Sequence, residues 1–383
     1  MAKIAIVSIM ANNPWGASEY LWALMAEQAL AEGHEVFLSI FDWSTSHPSI
    51  IKLKKLGACL IPRPKFPSLP SRASRRLFRD IPTLKSLAPK SWFQPVIDCK
   101  PDVIFINEGN RFDTLCYPDF VELVQASSIP YIILCHSNSD SSVLDAQLRN
   151  EISEFFSKAA KIGFVSQQSL KLAERQLAQF LPNATVVQNP VNLTDTSLVP
   201  FPTQSKLSFA SVARLDVTFK GHDVLFETLS SSIWKERDWQ CCLYGSGPDE
   251  DYLRQLARHY DIYDRIKFMG HVSDIRSIWA DNHFMVLPSR AEGGPIALIE
   301  AMLCGRAAVV TNVGIVSEWV EEGRNGFIAE AATAKSFGNA LERAWSVQSN
   351  LQDMGVQAHE MATNKFDSKP GKTLLKLLLN AVN

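Results

Sequence analysis

The chain has 383 residues, 46% of them hydrophobic, which is enough for two domains that each bury a sizeable core. No stretch approaches the roughly 20 apolar residues that span a bilayer, and no signal-peptide pattern follows Met1, so we expect a cytoplasmic protein. Seven cysteines without a Cys-x-x-Cys spacing argue against a disulfide framework and a zinc site. The net charge is −2. We expect neither a bound metal nor a nucleic-acid partner.

The first 40 residues predict a strand, a helix and a second strand, over residues 3–9, 18–32 and 35–40. Their connecting loop has one glycine and no G-x-G-x-x-G pattern, which disfavours a dinucleotide fold of the dehydrogenase kind. Gly16, Ser18 and Glu19 at the helix start could hold a sugar or a phosphate. A helix cap with an acidic first turn is the alternative.

Residues 51–100 are strongly basic, with twelve Lys and Arg against Asp80 and Asp98. This segment carries a charge of +10, so the rest of the chain carries −12. The pattern indicates contact with an anionic lipid surface or an acidic acceptor, and a solvated basic surface loop is the alternative. Its prolines predict irregular or short-helical structure over residues 60–100.

Two further strands are predicted at residues 102–106 and 131–135, and polar residues follow each of them. Asn107 and Glu108 follow the first strand, and His136 follows the second. Polar side chains at strand ends on the crevice side of an α/β sheet are candidate site residues. An imidazole placed there can bond a phosphate or a sugar hydroxyl, whereas a structural role is the alternative.

The alternation of strands and helices continues through the chain and predicts an α/β fold. We expect two Rossmann-like, doubly wound parallel sheets that face a central cleft. The expected boundaries are an N-terminal domain over residues 1–190, a linker over 191–206 and a C-terminal domain over 207–365. A last helix, within residues 366–383, is expected to pack back on the N-terminal domain.

The second half begins with a strand at residues 207–212 and the sequence A-R-L-D-V-T-F-K-G-H-D. Arg214 and Lys220 bracket a loop that leads into a helix, so two cations and free backbone donors converge where an anion could sit. The next two strands end in the glycine-bearing sequences G-S-G-P and M-G-H-V, which begin at Gly245 and Met269. Glycine at a strand end permits a ligand to approach the backbone closely.

Residues 283–311 predict a strand, a loop, a helix and a strand, and they carry two glutamates. Glu292 lies in the loop P-S-R-A-E-G-G-P, and Glu300 lies inside the helix on a largely apolar face. A buried carboxylate needs a partner. The pair could be an acid and a base, or hydroxyl acceptors; a loop acid and an ordinary helix acid are the unremarkable alternative.

These motifs, taken in order with the late E-G-R-N-G-F, resemble the retaining glycosyltransferases of family 4. That family belongs to the glycosyl transferases group 1 and has the GT-B architecture of two Rossmann-like domains. The resemblance spans residues 211–328 and is looser in the first half, where G-A-S-E, L-C-H-S, F-V-S-Q-Q-S and Q-N-P-V-N are similar to family segments. Ala17, Pro190 and the sequence N-E-G-N depart from the family pattern.

The resemblance implies a role for each matching residue. Arg214 and Lys220 would bind the donor diphosphate, Glu292 the sugar hydroxyls and Glu300 the ribose hydroxyls, while His136 would contact sugar or phosphate. The remaining implied donor-binding residues are Gly16, Gly245, Gly270, Val272, Gly293, Gly294 and Pro295. Glu19, Asn107 and Glu108 are expected on the acceptor side.

The implied activity is metal-independent transfer of a hexose, with retention, from a UDP or GDP sugar to a saccharide, lipid or other acceptor. The nucleotide sugar is a co-substrate, and no cofactor is expected. A nucleotide-sugar 2-epimerase and a non-catalytic nucleotide-sugar-binding protein are the alternatives. We expect a cytoplasmic location or peripheral attachment at the inner membrane face. The sugar, the base, the acceptor, the linkage and the oligomeric state are left open.

Overall fold

Apolar, uninterrupted strands of the first half assemble into one parallel sheet, as expected for strands that are covered on both faces. The computed structural model describes residues 1–11, 15–64, 91–109, 112–138 and 143–382. In these residues the sheet has the order β3-β2-β1-β4-β5-β6-β7. Its strands are β1 Lys3–Ser8, β2 Glu35–Phe41, β3 Cys59–Arg63, β4 Val103–Glu108, β5 Tyr131–Cys135, β6 Lys161–Phe164 and β7 Ala184–Val186.

Helices connect these strands, and their apolar faces cover the sheet. The largest buried side chains of this part of the chain include Trp22, Phe105, Phe120, Phe155 and Phe156. The helices described along it are α1 Ala17–Ala31, α2 Pro48–Lys55, α3 Gln94–Asp98, α4 Pro118–Ser127, α5 Ala146–Lys158 and α6 Gln167–Leu177.

The second half repeats the arrangement with a parallel sheet of order β10-β9-β8-β11-β12-β13. Its strands are β8 Leu207–Val212, β9 Trp239–Tyr244, β10 Ile266–Gly270, β11 Phe284–Leu287, β12 Ala307–Thr311 and β13 Gly326–Ala329. Its helices are α7 Val217–Lys220, α8 His222–Leu229, α9 Ser232–Lys235, α10 Glu250–His259, α11 Ile275–Asp281, α12 Ile296–Leu303, α13 Val316–Trp319, α14 Ala334–Ser346 and α15 Leu351–Lys365. Two doubly wound parallel sheets confirm the predicted fold class.

The chain divides into two units, one of residues 1–165, 169–190 and 369–383, the other of residues 166–168 and 191–368. The last helix, α16 Pro370–Leu379, belongs to the first unit and packs on α1. Leu374, Leu375 and Leu378 are buried in the same apolar cluster as Trp22. The small Gly371 makes this close packing feasible because it lies against the backbone of Leu24.

Residues 191–206, predicted as a linker, pack as an ordered part of the second unit. The buried guanidinium of Arg306 holds them, since it donates to the carbonyl oxygens of Val199 and Pro200. Val199 itself is buried in an apolar cluster of that unit. The segment is therefore fixed to the second sheet by hydrogen bonds and apolar contacts.

The prediction of irregular structure over residues 60–100 is wrong at its start, because β3 is a strand. It pairs with β2 at the edge of the sheet, and an edge strand tolerates Pro62. Most of the basic segment, residues 65–90, lies outside the described residues. Among the described residues, no helix is long and apolar enough to cross a bilayer.

Candidate functional site

The loops that follow β8 and β11 meet at the carboxyl edge of the second sheet, since these two strands are neighbours. Gly221, at the end of the first loop, has a φ of +64°. A Cβ atom there would clash with the carbonyl oxygen of Pro288 in the second loop. The N–H of Arg290 also donates to the carbonyl oxygen of Phe219 at 2.8 Å. The two loops therefore form one packed surface.

This packing brings Lys220 and Glu292 together, although 72 positions separate them in the chain. Lys220 Nζ lies 2.5 Å from Glu292 Oε1, and Ser289 Oγ donates to the same oxygen at 2.8 Å. The Lys220 side chain is 24% exposed and that of Glu292 9% exposed. A half-buried ammonium and a carboxylate thus lie side by side at the sheet edge and can both reach solvent.

Arg214 lies further out on the loop after β8, with its side chain exposed. Its nearest acidic partner is Asp216, at 4.0 Å between Nη1 and Oδ2. The carbonyl oxygen of Asp216 accepts from the N–H of Lys220 at 2.8 Å, which closes the turn that carries the lysine. The loop therefore presents two cations, of which Arg214 has only a distant acidic partner.

A second ion pair fixes the two loops from their outer side. Arg290 donates from both terminal nitrogens to Asp223, at 2.7 and 2.8 Å, and also to the carbonyl oxygen of Val217. Burial opposes ionisation of Asp223, yet the bonds and charge of Arg290 hold the pKa of that carboxyl below its usual value. This bidentate pair holds the loop of Glu292 against helix α8.

The turn before α12 carries free backbone donors. The N–H groups of Glu292, Gly293 and Gly294 donate no hydrogen bond within the described residues. Pro295 follows as the N-cap, and α12 begins at Ile296. Three unsatisfied donors next to a helix N-terminus form a surface that attracts an anion or a hydroxyl oxygen.

Glu300 lies inside α12 and is buried, with 3% of its surface exposed. Its Oε1 accepts from the N–H of Asn192 at 2.8 Å. Burial raises the pKa of Glu300, and the bonds from Asn192 act in the opposite direction. The partner that a buried carboxylate requires is thus supplied within the protein, and the remaining carboxylate oxygen is the one available for a ligand.

The two glycine-bearing strand ends lie at the same edge. Gly245 follows β9 and its N–H donates to the carbonyl oxygen of Gly270 at 2.8 Å, which joins the two turns. A Cβ atom on Gly245 would clash with the carbonyl oxygen of Ala213, whereas one on Gly270 would meet open space. Val272 is half-buried two residues beyond Gly270. These turns leave the backbone around Gly270 open to a ligand.

In the first unit, the predicted site residues lie at the carboxyl edge of its sheet. Gly16 is the N-cap of α1 and makes no side-chain bond. Glu19, Asn107 and His136 are buried and bonded to one another in a chain, with His136 Nε2 2.9 Å from Asn107 Oδ1. Burial lowers the pKa of His136 to about 3, so the ring is neutral at physiological pH.

Glu108 is also buried, and its carboxylate is occupied by four donors. It accepts from the N–H of Phe112, from the N–H and hydroxyl of Thr114 and from the thiol of Cys135. Burial raises the pKa of Glu108 to about 7. In this arrangement the carboxylate fixes the backbone of residues 112–114 and keeps no free oxygen for a substrate.

Ser289 and His222 contribute to the candidate site of the second unit, and sequence reasoning did not single them out. Ser289 bonds Glu292, and its own carbonyl oxygen accepts from the Thr311 hydroxyl. Burial and the charge of Lys220 lower the pKa of His222 to about 4, and its Nε2 lies 3.3 Å from Ser211 Oγ. Ser289 lies three residues before Glu292, and His222 lies two residues after Lys220. Their positions beside these candidate site residues could have identified them from the sequence.

Residues 206–346, which hold these loops, match the family Glycosyl transferases group 1. This part of the chain is similar to that family, and it covers β8 to β13 and every residue predicted above for the donor diphosphate, ribose and base. The match confirms the glycosyl transferases group 1 part of the predicted resemblance for these residues.

An uncharacterized glycosyltransferase of Haemophilus influenzae is 34% identical to this chain over 114 residues, 30% of this chain and 32% of that protein. The chain thus spans about a third of the length of this curated relative. The crystal structure of Anabaena HepE in complex with UDP superimposes with a TM-score of 0.75 and 18% identity, over 99% of this chain and 100% of that one. A glycosyltransferase from Rickettsia africae gives 0.74 and 16%, over 100% and 98%. These likenesses confirm the GT-B fold.

Proposed function

We propose that this protein is a retaining glycosyltransferase that moves a hexose from a nucleotide diphosphate sugar to a saccharide, lipid or other acceptor. The contact of Lys220 with Glu292 at the edge of the second sheet carries the proposal. A sugar diphosphate offers a better-matched partner to each group, namely phosphate oxygens to Lys220 and sugar hydroxyls to Glu292. One ligand can therefore replace the ion pair by two sets of hydrogen bonds.

Charge stabilisation is the chemical contribution of the loop after β8. When the bond between the anomeric carbon and the diphosphate oxygen breaks, negative charge develops on the leaving phosphate. Lys220 and Arg214, the second of which has only a 4.0 Å acidic partner, are positioned on one loop to neutralise that charge. Two cations can do this without a metal ion, which supports the proposed metal-independent mechanism.

Donor orientation would come from the turn that precedes α12. Glu292 can accept from two sugar hydroxyls, and the free N–H groups of Gly293 and Gly294 can donate to hydroxyl oxygens. Pro295 closes the turn and keeps the donors at the helix start. This mixed set of donors and acceptors suits a polyhydroxylated ring better than a plain anion.

The nucleoside would lie toward Glu300 and the turns around Gly245 and Gly270. We assign the ribose hydroxyls to the free oxygen of Glu300, and the base to the backbone beside Gly270 and Val272, where the surface is open. UDP in the HepE crystal structure supports a uridine nucleotide as the first donor to test. A GDP sugar is the second.

For the first unit, we propose that His136 contacts the substrate and that Gly16 helps to close the donor pocket. Glu19, Asn107 and Glu108 are occupied by internal bonds, so we assign them no direct acceptor contact. The retaining outcome rests on the resemblance to family 4. It is tested by NMR of the product, whose anomeric configuration must equal that of the donor.

The purified protein is incubated with a panel of UDP, GDP and ADP sugars, with and without candidate acceptors. Nucleotide release that depends on the acceptor supports transfer. Isomerisation of the sugar without an acceptor would instead identify an epimerase, and binding without turnover would identify a binding protein. Thermal shift selects the donors beforehand, because a ligand that binds only the folded state raises its apparent stability.

We also propose that the protein attaches peripherally to anionic lipid at the cytoplasmic membrane face. Helix α2 supports this, since its inner face buries Ile50 and Leu53 while Ile51 is 45% exposed. Lys54 and Lys55 on the same helix are exposed and form no ion pair with the described residues. An apolar side chain flanked by unpaired lysines suits a headgroup surface.

Liposome flotation tests this attachment. Binding should require anionic lipid, fade with salt, and weaken in a Lys54→Glu, Lys55→Glu double variant. The matched control is Lys158→Glu on α5, whose lysine is already neutralised by Glu154 at 2.6 Å. Equal binding to neutral liposomes would remove the electrostatic surface from the proposal.

A further inference from the structure

A chain of buried hydrogen bonds ends at His136. Glu19 Oε2 accepts from the indole Nε1 of Trp22 at 2.8 Å, and Glu19 Oε1 accepts from Ser8 Oγ at 2.9 Å and from Asn107 Nδ2 at 3.0 Å. Asn107 Oδ1 then lies 2.9 Å from His136 Nε2. All of these side chains are at the carboxyl edge of the first sheet, with at most 6% of their surface exposed.

The polarity of this chain is fixed at its far end. An indole N–H can only donate, so Glu19 is the acceptor at that end. When Glu19 is ionised, its Oε1 also accepts, which turns the amide N–H₂ of Asn107 toward the carboxylate. The carbonyl oxygen of Asn107 consequently faces His136, and a carbonyl oxygen can only accept. The proton of the neutral imidazole is thus on Nε2.

The other ring nitrogen, Nδ1, is then an acceptor that lacks a donor. It is buried and has no hydrogen-bond partner within the part of the chain that the structure describes, and the same holds for Asn189 Oδ1. A buried ring nitrogen without a partner is rare in folded proteins, so Nδ1 is a candidate to accept a hydrogen bond from a ligand.

His136 directly follows β5, and open α/β sheets bind ligands beyond the carboxyl ends of their strands. A donor that can fill the position must carry a proton, as a hydroxyl does. The diphosphate of a nucleotide sugar offers only acceptor oxygens, so it cannot pair with an Nδ1 that has no proton. This excludes one of the two ligand groups that sequence reasoning allowed for His136.

We propose that Glu19 and Asn107 are positioning residues that hold His136 as its Nε2–H tautomer, so that Nδ1 accepts a hydrogen bond from a substrate hydroxyl. The hydroxyl part of this proposal rests on the proposed glycosyltransferase function. The tautomer part stands on the bonds of the first unit alone. Glu19 and Asn107 therefore act on the substrate only through the ring.

Two-bond ¹H–¹⁵N correlation spectra of ¹⁵N-histidine-labelled protein test the tautomer without any assay of activity. The His136 signals are those missing from His136→Gln. Above the pKa of about 7 that burial gives Glu19, the wild-type ring should show the Nε2–H pattern. A Nδ1–H or doubly protonated ring in the wild type would overturn the proposal, even if no variant could be folded.

Glu19→Gln provides the sharper comparison. Its carbonyl oxygen can keep the bond from Trp22, but its amide N–H₂ then faces Asn107 and forces that amide to turn around. Asn107 would donate to His136 Nε2, and the ring should switch to the Nδ1–H tautomer. Glu108→Gln, which alters another buried carboxylate with no bond to this chain, should leave the tautomer unchanged. If His136 keeps the Nε2–H tautomer in Glu19→Gln, Glu19 and Asn107 do not set the tautomer, and the proposal is overturned.

Activity measurements then compare Glu19→Gln with wild type. If Nδ1 of His136 carries the proton in the variant, the variant should turn over the sugar donor roughly 10- to 100-fold more slowly. The Kd of the free nucleoside diphosphate, which lacks the transferred hexose and its hydroxyls, should stay the same. Unchanged turnover with a switched tautomer would overturn hydroxyl recognition. If wild type transfers no sugar at all, the proposed function fails while the tautomer result is unaffected.

Discussion

Lys220 Nζ and Glu292 Oε1 lie 2.5 Å apart at the carboxyl edge of the second sheet, on loops that follow two neighbouring strands. Each charge of the pair stabilises the other while no ligand is bound. In the proposed function a donor sugar separates the two groups, and new bonds from Lys220 to phosphate and from sugar hydroxyls to Glu292 offset the cost. This arrangement would favour a ligand that carries both phosphate and hydroxyl groups.

Replacement of Lys220 by Ala should slow donor turnover by roughly 10- to 1000-fold, as expected for loss of a cation that stabilises transition-state charge. The loss should fall mainly on kcat, measured by nucleotide release at saturating donor. The matched control is Lys235→Ala, since that half-buried lysine has only a loose partner, Asp261, at 3.8 Å. Equal turnover in the Lys220 variant and the wild type would remove the lysine from the mechanism.

Glu300→Gln should weaken nucleotide binding by roughly 10- to 100-fold, because a charged acceptor for the ribose hydroxyls becomes a neutral amide. The amide oxygen can still accept from the N–H of Asn192, so the fold should be retained. Calorimetric titration with the nucleoside diphosphate measures the change. Glu360→Gln, an exposed change on α15, is the control. An unaltered Kd would argue against ribose binding.

Gly221→Ala should destabilise the second unit more than Gly323→Ala does. Both glycines have positive φ, +64° and +75°, so alanine strains either backbone by about 1 kcal/mol. Only at Gly221 does the added Cβ meet a backbone atom, the carbonyl oxygen of Pro288, whereas the space at Gly323 is open. Urea unfolding of the two variants measures the difference. Matching losses would show that the two loops can move apart freely.

Stability should depend on pH through Glu108. Burial raises its pKa from the ordinary value of 4.5 to about 7, so the folded state binds the proton more tightly than the unfolded state. Its contribution is complete below pH 4.5 and is lost as the pH rises to about 7. Relative to Glu108→Gln, the free energy of unfolding of the wild type should fall over that range, by at most about 1.4 kcal/mol per pH unit.

Urea unfolding of both proteins is measured between about pH 4 and pH 8, in steps of roughly one pH unit. The difference between the two free energies of unfolding is then followed against pH. Glu19, whose pKa burial also raises to about 7, and the buried His136 and His222 titrate in both proteins. Their contributions cancel in the comparison. Parallel curves would mean that the Glu108 carboxyl titrates alike in the folded and unfolded states.

The alternation of strands and helices was sufficient to predict two doubly wound sheets, because buried parallel strands are apolar throughout and periodicity marks the helices. β3 escaped prediction for a local reason. Pro62 is unfavourable inside a sheet, and only its position on the edge strand makes it acceptable. The order of strands in the sheet depends on contacts between distant segments, which local sequence patterns do not reveal.

The sequence predicted which polar residues lie at strand ends. It did not predict which residues they bond to. Glu300 was expected to need a partner, yet Asn192, 108 positions away, could be identified only from the fold. Glu19 was expected on the acceptor side, with a helix cap and an acidic first turn as the alternative. It is buried and bonded to Trp22 and to Asn107, 88 positions later. Burial of an acid is decided by the whole fold, whereas its position on a helix is decided locally.

Helix α16 has a consequence for how the protein is made. Residues 369–383 of the first unit follow the second unit in the chain, so the apolar face on α1 that they cover stays open until they have been synthesised. The surroundings of Trp22 are therefore completed only after synthesis of residues 191–368, at about 5–20 residues per second. The second unit can fold during that interval.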